Sequence, residues 1–180
     1  KQSPCPARFT IINVQSLLVL RTALLNPRGS ACALDAISRE PAMTDVRTTR
    51  HQMVEQQVRA WSVLDLKVLE VMDSIAREQF VPPAFRDVAY ADMSVPLGHG
   101  QSMLAPKVEG RILQSLAIQP QDRVLEVGTG SGYFAACLAQ LARSVRSIEI
   151  VQELADTARA NLERNGVRSV TVECSDAMTL

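Results

Sequence analysis

Apolar positions between Thr44 and Trp61 recur at helical spacing. Met53, Val54, Val58 and Trp61 share one face, so the pattern predicts a helix over 44–61. Asp65 is placed to cap a second helix whose apolar stripe is Val68, Leu69, Met72 and Ile75. Pro82 and Pro83 end that region. Segment 90–106 reads as irregular, broken by Pro96, Gly98, Gly100 and Pro106. Pro106 suits the first turn of a third helix, where its missing N–H costs nothing. Val108, Ile112 and Leu116 mark the face this helix is expected to bury, and Pro120 closes it.

The rhythm changes after Pro120. Short apolar runs at 123–127, 145–150 and 170–174 predict strands, and 134–141 and 152–164 predict the helices between them. In the second of these helices Leu154, Ala155, Ala158 and Leu162 point inward, and Asn165-Gly166 supplies the stop. Strand and helix alternating across short links imply a parallel sheet with right-handed crossovers. The expected class is therefore α/β, a Rossmann-like doubly wound sheet preceded by N-terminal helices. Three strands are few for such a sheet. The chain is accordingly read as the N-terminal portion of a domain, 43–180, truncated after the third strand.

Residues 1–42 read differently. Phe9 to Leu25 is apolar, but Arg21 interrupts it and it is shorter than a bilayer-spanning helix requires. Lys1 and Arg8 before an apolar run, with Ala31-Cys32-Ala33 behind it, have the outline of a secretory leader. Asn13, Gln15 and Arg21 within the run, and no initiating Met, argue against one. The domain is expected to begin near Met43, with residues 1–42 an extension outside it.

Charge and cysteine content narrow the classes further. Nineteen basic and nineteen acidic residues cancel, and aromatics are 4% of the chain. No nucleic-acid partner and no membrane partner are expected, because both usually demand a basic excess, and base stacking demands aromatics. Cys5, Cys32, Cys137 and Cys174 form no CxxC pair, and His51 and His99 lie far from them, so no metal site is expected. Cys137 and Cys174 fall in apolar helical and strand patterns and read as buried, reduced thiols of a cytoplasmic protein. Oligomeric state is not legible.

The chemistry concentrates in Val124-Leu-Glu-Val-Gly-Thr-Gly-Ser-Gly-Tyr133. Gly128, Gly130 and Gly132 fall between a strand and a helix, where a sharp turn and a ligand approaching the backbone both exclude a Cβ. The free N–H groups of the helix start face the crevice at the strands' carboxyl ends. A dinucleotide fingerprint, GxGxxG, has its third glycine one residue later, and no lysine–hydroxyl pair follows to make a P-loop. The observed spacing, ExGxGxG from Glu126, is the pattern of S-adenosylmethionine-binding methyltransferases. Glu126, Gly128, Thr129, Gly130 and Gly132 are thus candidate cofactor residues. Glu149, at the end of the second predicted strand, can accept hydrogen bonds from both ribose hydroxyls, and Asp176, past the third, is placed for the adenine edge. A solvated strand end (Glu149) and a turn residue (Asp176) are the plainer alternatives.

From about Met53 to Asp176 the chain resembles bacterial protein-L-isoaspartate O-methyltransferases. The resemblance rests on Phe80-Val-Pro82, Ala89-Tyr-Ala-Asp92, Pro96-Leu-Gly-His-Gly-Gln101, Pro106 and the glycine turn. It implies a seven-stranded methyltransferase sheet with added N-terminal helices. It also implies methyl transfer from S-adenosyl-L-methionine to the carboxylate of an isoaspartyl residue in damaged protein, a repair activity. No catalytic His–Asp pair is needed, since a carboxylate is already nucleophilic at neutral pH. One position departs from the family pattern: after Gly100-Gln101 the family reads Thr-Ile-Ser-Gln-Pro, whereas this chain has Ser102-Met103-Leu104-Ala105-Pro106. Leu104 stands where the family serine orients the acceptor. Ser102 is the nearest hydroxyl, and on extended backbone it shares a face with position 104. Two alternatives stay open: a family offshoot with another methyl acceptor, and an S-adenosylmethionine-binding protein without catalysis.

Overall fold

The structure, a computed structural model, describes residues 9–13 and 45–179. The first helix runs unbroken from Val46 to Trp61, but its winding changes. An α-helix, α1 (Val46–Met53), continues through a wider π turn at Val54–Val58 and a tight 3₁₀ turn at Arg59–Trp61. Met53, Val54 and Val58 are buried as expected, whereas Trp61 is half exposed, with the Lys107 ammonium 4.3 Å over its ring. The overwound last turn rotates Trp61 off the apolar face. Asp65 caps α2 (Leu66–Ser74), its Oδ1 accepting from Lys67 N at 2.9 Å, and Val68, Leu69 and Met72 face the core.

Segment 90–106 is more ordered than its breakers predict. Val95–Gly98 (β2) and Gln101–Met103 (β3) form an antiparallel hairpin whose tip, Gly98-His99-Gly100, has three consecutive positive φ values of 88°, 52° and 71°. The breakers make the hairpin's turn. Pro106 then opens α3 (Pro106–Leu116). Its buried face is Pro106, Glu109, Gly110 and Leu113, while Val108, Ile112 and Leu116 are only half buried. The predicted stripe is thus displaced by one position. Gly110 is the reason: a Cβ there would stand 2.6 Å from Val58 Cγ1, so α3 is drawn against the π turn along its glycine side.

The alternating region folds as expected. β4 (Arg123–Val127), α4 (Tyr133–Leu141), β5 (Ser144–Glu149), α5 (Gln152–Arg164) and β6 (Val170–Cys174) form a parallel sheet whose strands are joined by helices. Leu154, Ala155, Ala158 and Leu162 are all buried. α5 ends in a double hydrogen-bonded cap, Gly166 N to Glu163 O at 3.0 Å and Val167 N to Leu162 O at 2.9 Å, with Gly166 at φ 69°. Cys137 is a buried free thiol, whereas Cys174, expected to be buried, is exposed at the end of β6, the outermost strand among the described residues.

A fourth parallel strand joins the sheet from outside the expected domain. Phe9–Asn13 (β1) pairs with β4 from Phe9↔Arg123 to Asn13↔Val127, giving the order β1-β4-β5-β6. Ile12 is buried and Ile11 is 70% exposed. For these five residues the structure differs from the reading that 1–42 lies outside the domain: they pair along the edge of β4. Ala31-Cys32-Ala33, Cys5 and the start near Met43 lie outside the described residues. Across the sheet, Ile12, Glu126, Ser147 and Val172 share one register row, which carries two polar groups, Glu126 and Ser147, into the interior.

Candidate functional site

The turn after β4 is bent by three left-handed glycines, Gly128 at φ 94°, Gly130 at 55° and Gly132 at 86°, a region open to glycine and strained for other residues. Gly128 N donates to Ile148 O at 2.7 Å, which ties the turn to β5. At Gly132 a Cβ would meet Ala158 Cβ, Ala158 O and Leu162 Cγ, each at 3.3 Å, so this glycine admits α5 against the helix start. Asn161 Nδ2 donates to Ser131 O at 3.0 Å and holds the same turn from behind.

Six of the predicted residues, Glu126, Gly128, Thr129, Gly130, Gly132 and Glu149, meet in and beneath this turn. Gly130 N donates to Glu149 Oε2 at 2.9 Å, while Ile150 N and Val151 N donate to Glu149 Oε1 at 3.0 and 3.1 Å. Glu149 is wholly buried, so it is no solvated strand end. Glu126, also wholly buried, accepts from Ser147 Oγ, and Ser147 pairs with Thr129 Oγ1 at 2.6 Å. The second carboxyl oxygen of Glu126, Oε1, is buried with no hydrogen-bond partner. Burial pushes this carboxyl up to about 8, against the pull of the Ser147 hydrogen bond and with a further push from Glu149 and Glu109. An orphaned buried oxygen is costly and marks a place where a ligand donor fits.

The hairpin lies over the same turn: a Cβ on Gly130 would come within 3.1 Å of Leu97 Cδ1. Ser102 is half buried on β3, paired with Pro96, and Leu104 is buried with its carbonyl accepting from Arg77. His99 is exposed at the hairpin tip. Asp176 is exposed, and its Oδ1 accepts from Met178 N at 2.9 Å, so its side chain is engaged in a turn. It follows Ser175, whose N–H donates to Glu149 O at 3.0 Å, at the same end of the sheet.

Sequence reasoning passed over Ser147 and Arg77. Ser147 was detectable, since it lies two residues before Glu149 and therefore on the same strand face. Arg77 carried no signal, because burial of an arginine depends on partners 12, 27 and 32 residues away. Among the described residues no group of three His, Cys, Asp or Glu side chains could hold a metal ion.

A parallel doubly wound sheet, a glycine turn opening a helix, and a buried acid at the tip of the next strand define a Rossmann-like protein with its ligand crevice at the strands' carboxyl ends. Comparison with known proteins carries this further. The family profile described as Protein-L-isoaspartate(D-aspartate) O-methyltransferase matches residues 48–179. A Protein-L-isoaspartate O-methyltransferase of Aeropyrum pernix is 44% identical over 154 residues, 82% of this chain and 59% of the relative. Protein-L-isoaspartate O-methyltransferase 2 of Marinobacter nauticus is 45% identical over 132 residues, 73% of this chain and 60% of the relative. A solved Plasmodium falciparum structure, titled a putative protein-L-isoaspartate O-methyltransferase in complex with S-adenosyl-L-homocysteine, is similar in fold. Its TM-score is 0.62 at 21% identity, covering 71% of this chain and 63% of that one. The chain belongs to the protein-L-isoaspartate(D-aspartate) O-methyltransferase family. It spans about three fifths of the length of these two curated relatives.

Proposed function

We propose that this protein binds S-adenosyl-L-methionine at the glycine turn and transfers its methyl group to the α-carboxylate of an isoaspartyl residue in a protein or peptide. The observation that carries the reading is the junction of Gly130, Glu149 and Glu126: a backbone bend without side chains, a buried acid hydrogen-bonded to it, and beside them a buried carboxyl oxygen without a partner. These groups fit S-adenosylmethionine, which offers the ribose hydroxyls of its nucleoside and the ammonium of its methionine part as donors. In the proposed complex Glu149 receives the ribose hydroxyls, while Gly128, Thr129 and Gly130 line the approach. Glu126 faces the cationic part of the ligand, and Asp176 lies toward the base.

Bound there, S-adenosylmethionine supplies an electrophilic methyl group on a sulfonium sulfur. The acceptor carboxylate is ionised at neutral pH and needs no base. The protein's own task is to hold the two partners in line with water excluded. The hairpin over the turn serves that task, and Ser102 on its second strand is the hydroxyl we assign to orienting the acceptor. The names of the relatives support the isoaspartyl acceptor, and the repair role is part of the proposal. We place the activity in the cytoplasm, consistent with the buried free thiol of Cys137. Among the described residues no helix is long and apolar enough to cross a membrane.

Incubation with methyl-labelled S-adenosylmethionine tests the reading. Label should enter an isoaspartyl peptide and stay at background in its ordinary aspartyl counterpart. Equal labelling of the two removes the repair assignment. The buried apolar side chain of Leu104 favours one second reading, an acceptor other than isoaspartate. Leu104→Ser separates the two: it should raise isoaspartyl methylation under the first reading, and under the second it should fail to improve, or should harm, activity on the true acceptor.

A further inference from the structure

Arg77 lies in a short 3₁₀ turn, Arg77–Gln79, and is 0% exposed. Its guanidinium touches four separate parts of the chain. Nε donates to Ala89 O at 2.8 Å and Nη2 to Leu104 O at 2.6 Å. Nη1 pairs with the Glu109 carboxylate on α3, itself 2% exposed. The carbon at the centre of the guanidinium stands 4.7 Å from the ring centroid of Tyr133, the residue that opens α4 immediately after the glycine turn. Tyr133 is fixed in turn by Phe80, edge to face at 5.7 Å.

A buried charge needs compensation from its partners, and Glu109 provides it. Glu109 alone, however, would be served by any cation. What requires arginine is the planar fork, which presents N–H groups in several fixed directions and a flat face for an aromatic ring. Here the fork joins the backbone at Leu104, between the hairpin and α3, to the first residue of the helix behind the cofactor turn. Leu104 and Ser102 are the residues that the proposed function places at the acceptor.

We infer that Arg77 is a positioning residue: it sets the distance between the acceptor loop, 102–105, and the glycine turn, and so aligns the acceptor carboxylate with the methyl donor. It touches neither reactant. The inference rests on the function proposed above for the acceptor loop, and the tethering itself stands apart from that function. Misplacement of one reacting partner by about 1 Å lowers rate on the order of a hundredfold, so a loosened tether acts on acceptor use rather than on cofactor affinity.

The test uses two variants. Arg77→Lys keeps a cation for Glu109 and loses the fork. Arg77→Met combined with Glu109→Met removes both charges, so no unpaired charge is left buried, and a cooperative thermal transition checks that the variant folds. Cofactor affinity by calorimetry should stay within about threefold of the parent in both, since the groups holding the nucleoside are untouched. The KM for an isoaspartyl peptide should rise, or kcat fall, by about tenfold or more. Hydrogen exchange should quicken at amides 89–93 and 102–105 and remain at parent rates in β4 and β5. A purely structural role would instead be rescued in the double variant. Parent-level exchange at 102–105 in that variant would overturn the inference, as would parent-level peptide kinetics. Should the parent itself fail to methylate the isoaspartyl peptide, the proposed function fails, and the exchange measurement alone then decides whether Arg77 holds the loop.

Discussion

At the scale of single residues, the polar interior of the sheet makes the sharpest prediction. Glu126 is raised to about 8 in the folded protein, principally by burial, from an ordinary value of 4.5. As pH climbs from the lower to the higher value, the unfolded chain gives up this proton while the folded chain keeps it. Glu126 therefore stabilises the fold below about 4.5, and that contribution is lost progressively up to about 8. Denaturant unfolding at pH 5 and pH 8.5 should show Glu126→Gln losing less stability over this range than the parent, the difference being on the order of a few kcal/mol. Equal slopes would mean that Glu126 is ionised in the folded state throughout. Sequence spacing located both acids correctly relative to the turn. It could not tell that Glu149 would be held by three backbone N–H groups, because that depends on how the chain beyond β5 bends.

At the scale of elements, the glycine turn, the two helices after it and the presence of α3 were legible, whereas the buried face of α3 and the hairpin were not. α4 and α5 bury faces whose residue types repeat at helical spacing, so the pattern alone orients them. α3 instead buries Glu109 and Gly110, a charge and a residue without a side chain, and hides a longer apolar stripe only in part. Hydrophobicity misplaces such a face, since the decisive contacts are an ion pair and a close backbone approach. Gly110→Ala tests the approach. Its methyl would lie 2.6 Å from Val58 Cγ1 and 3.2 Å from the Met72 sulfur, so the gain in helix propensity is outweighed. A net loss of about 1–3 kcal/mol is expected by thermal or denaturant unfolding. A neutral or stabilising result would show that the π turn of the first helix yields easily. The hairpin was missed because Pro96, Gly98 and Gly100 break regular structure on average, while here they build its tip and bulge.

At the scale of the whole molecule, the parallel sheet brings the elements of the proposed cofactor site to one end. β4 delivers the turn, β5 delivers Glu149, and β6 delivers the Ser175 amide that binds the Glu149 carbonyl. Alternation of strand and helix made this architecture readable. The place of β1 beside β4 was not, for parallel pairing joins segments separated by more than a hundred residues and leaves no local trace. The opposite face of the sheet exposes Ile11 and carries the Arg146–Glu173 ion pair.

One measurement bears most directly on the central claim that the bend at 128–132 and the carboxylate at 149 together hold an adenosyl sulfonium. Titration calorimetry of the protein with S-adenosylmethionine and with its demethylated product should give saturable binding of one molecule per chain. In Glu149→Ala the affinity for both should fall by at least about tenfold, as expected when a buried acceptor of ligand hydrogen bonds is removed. Heats of dilution alone with the parent, or unchanged affinity in Glu149→Ala, would contradict the account.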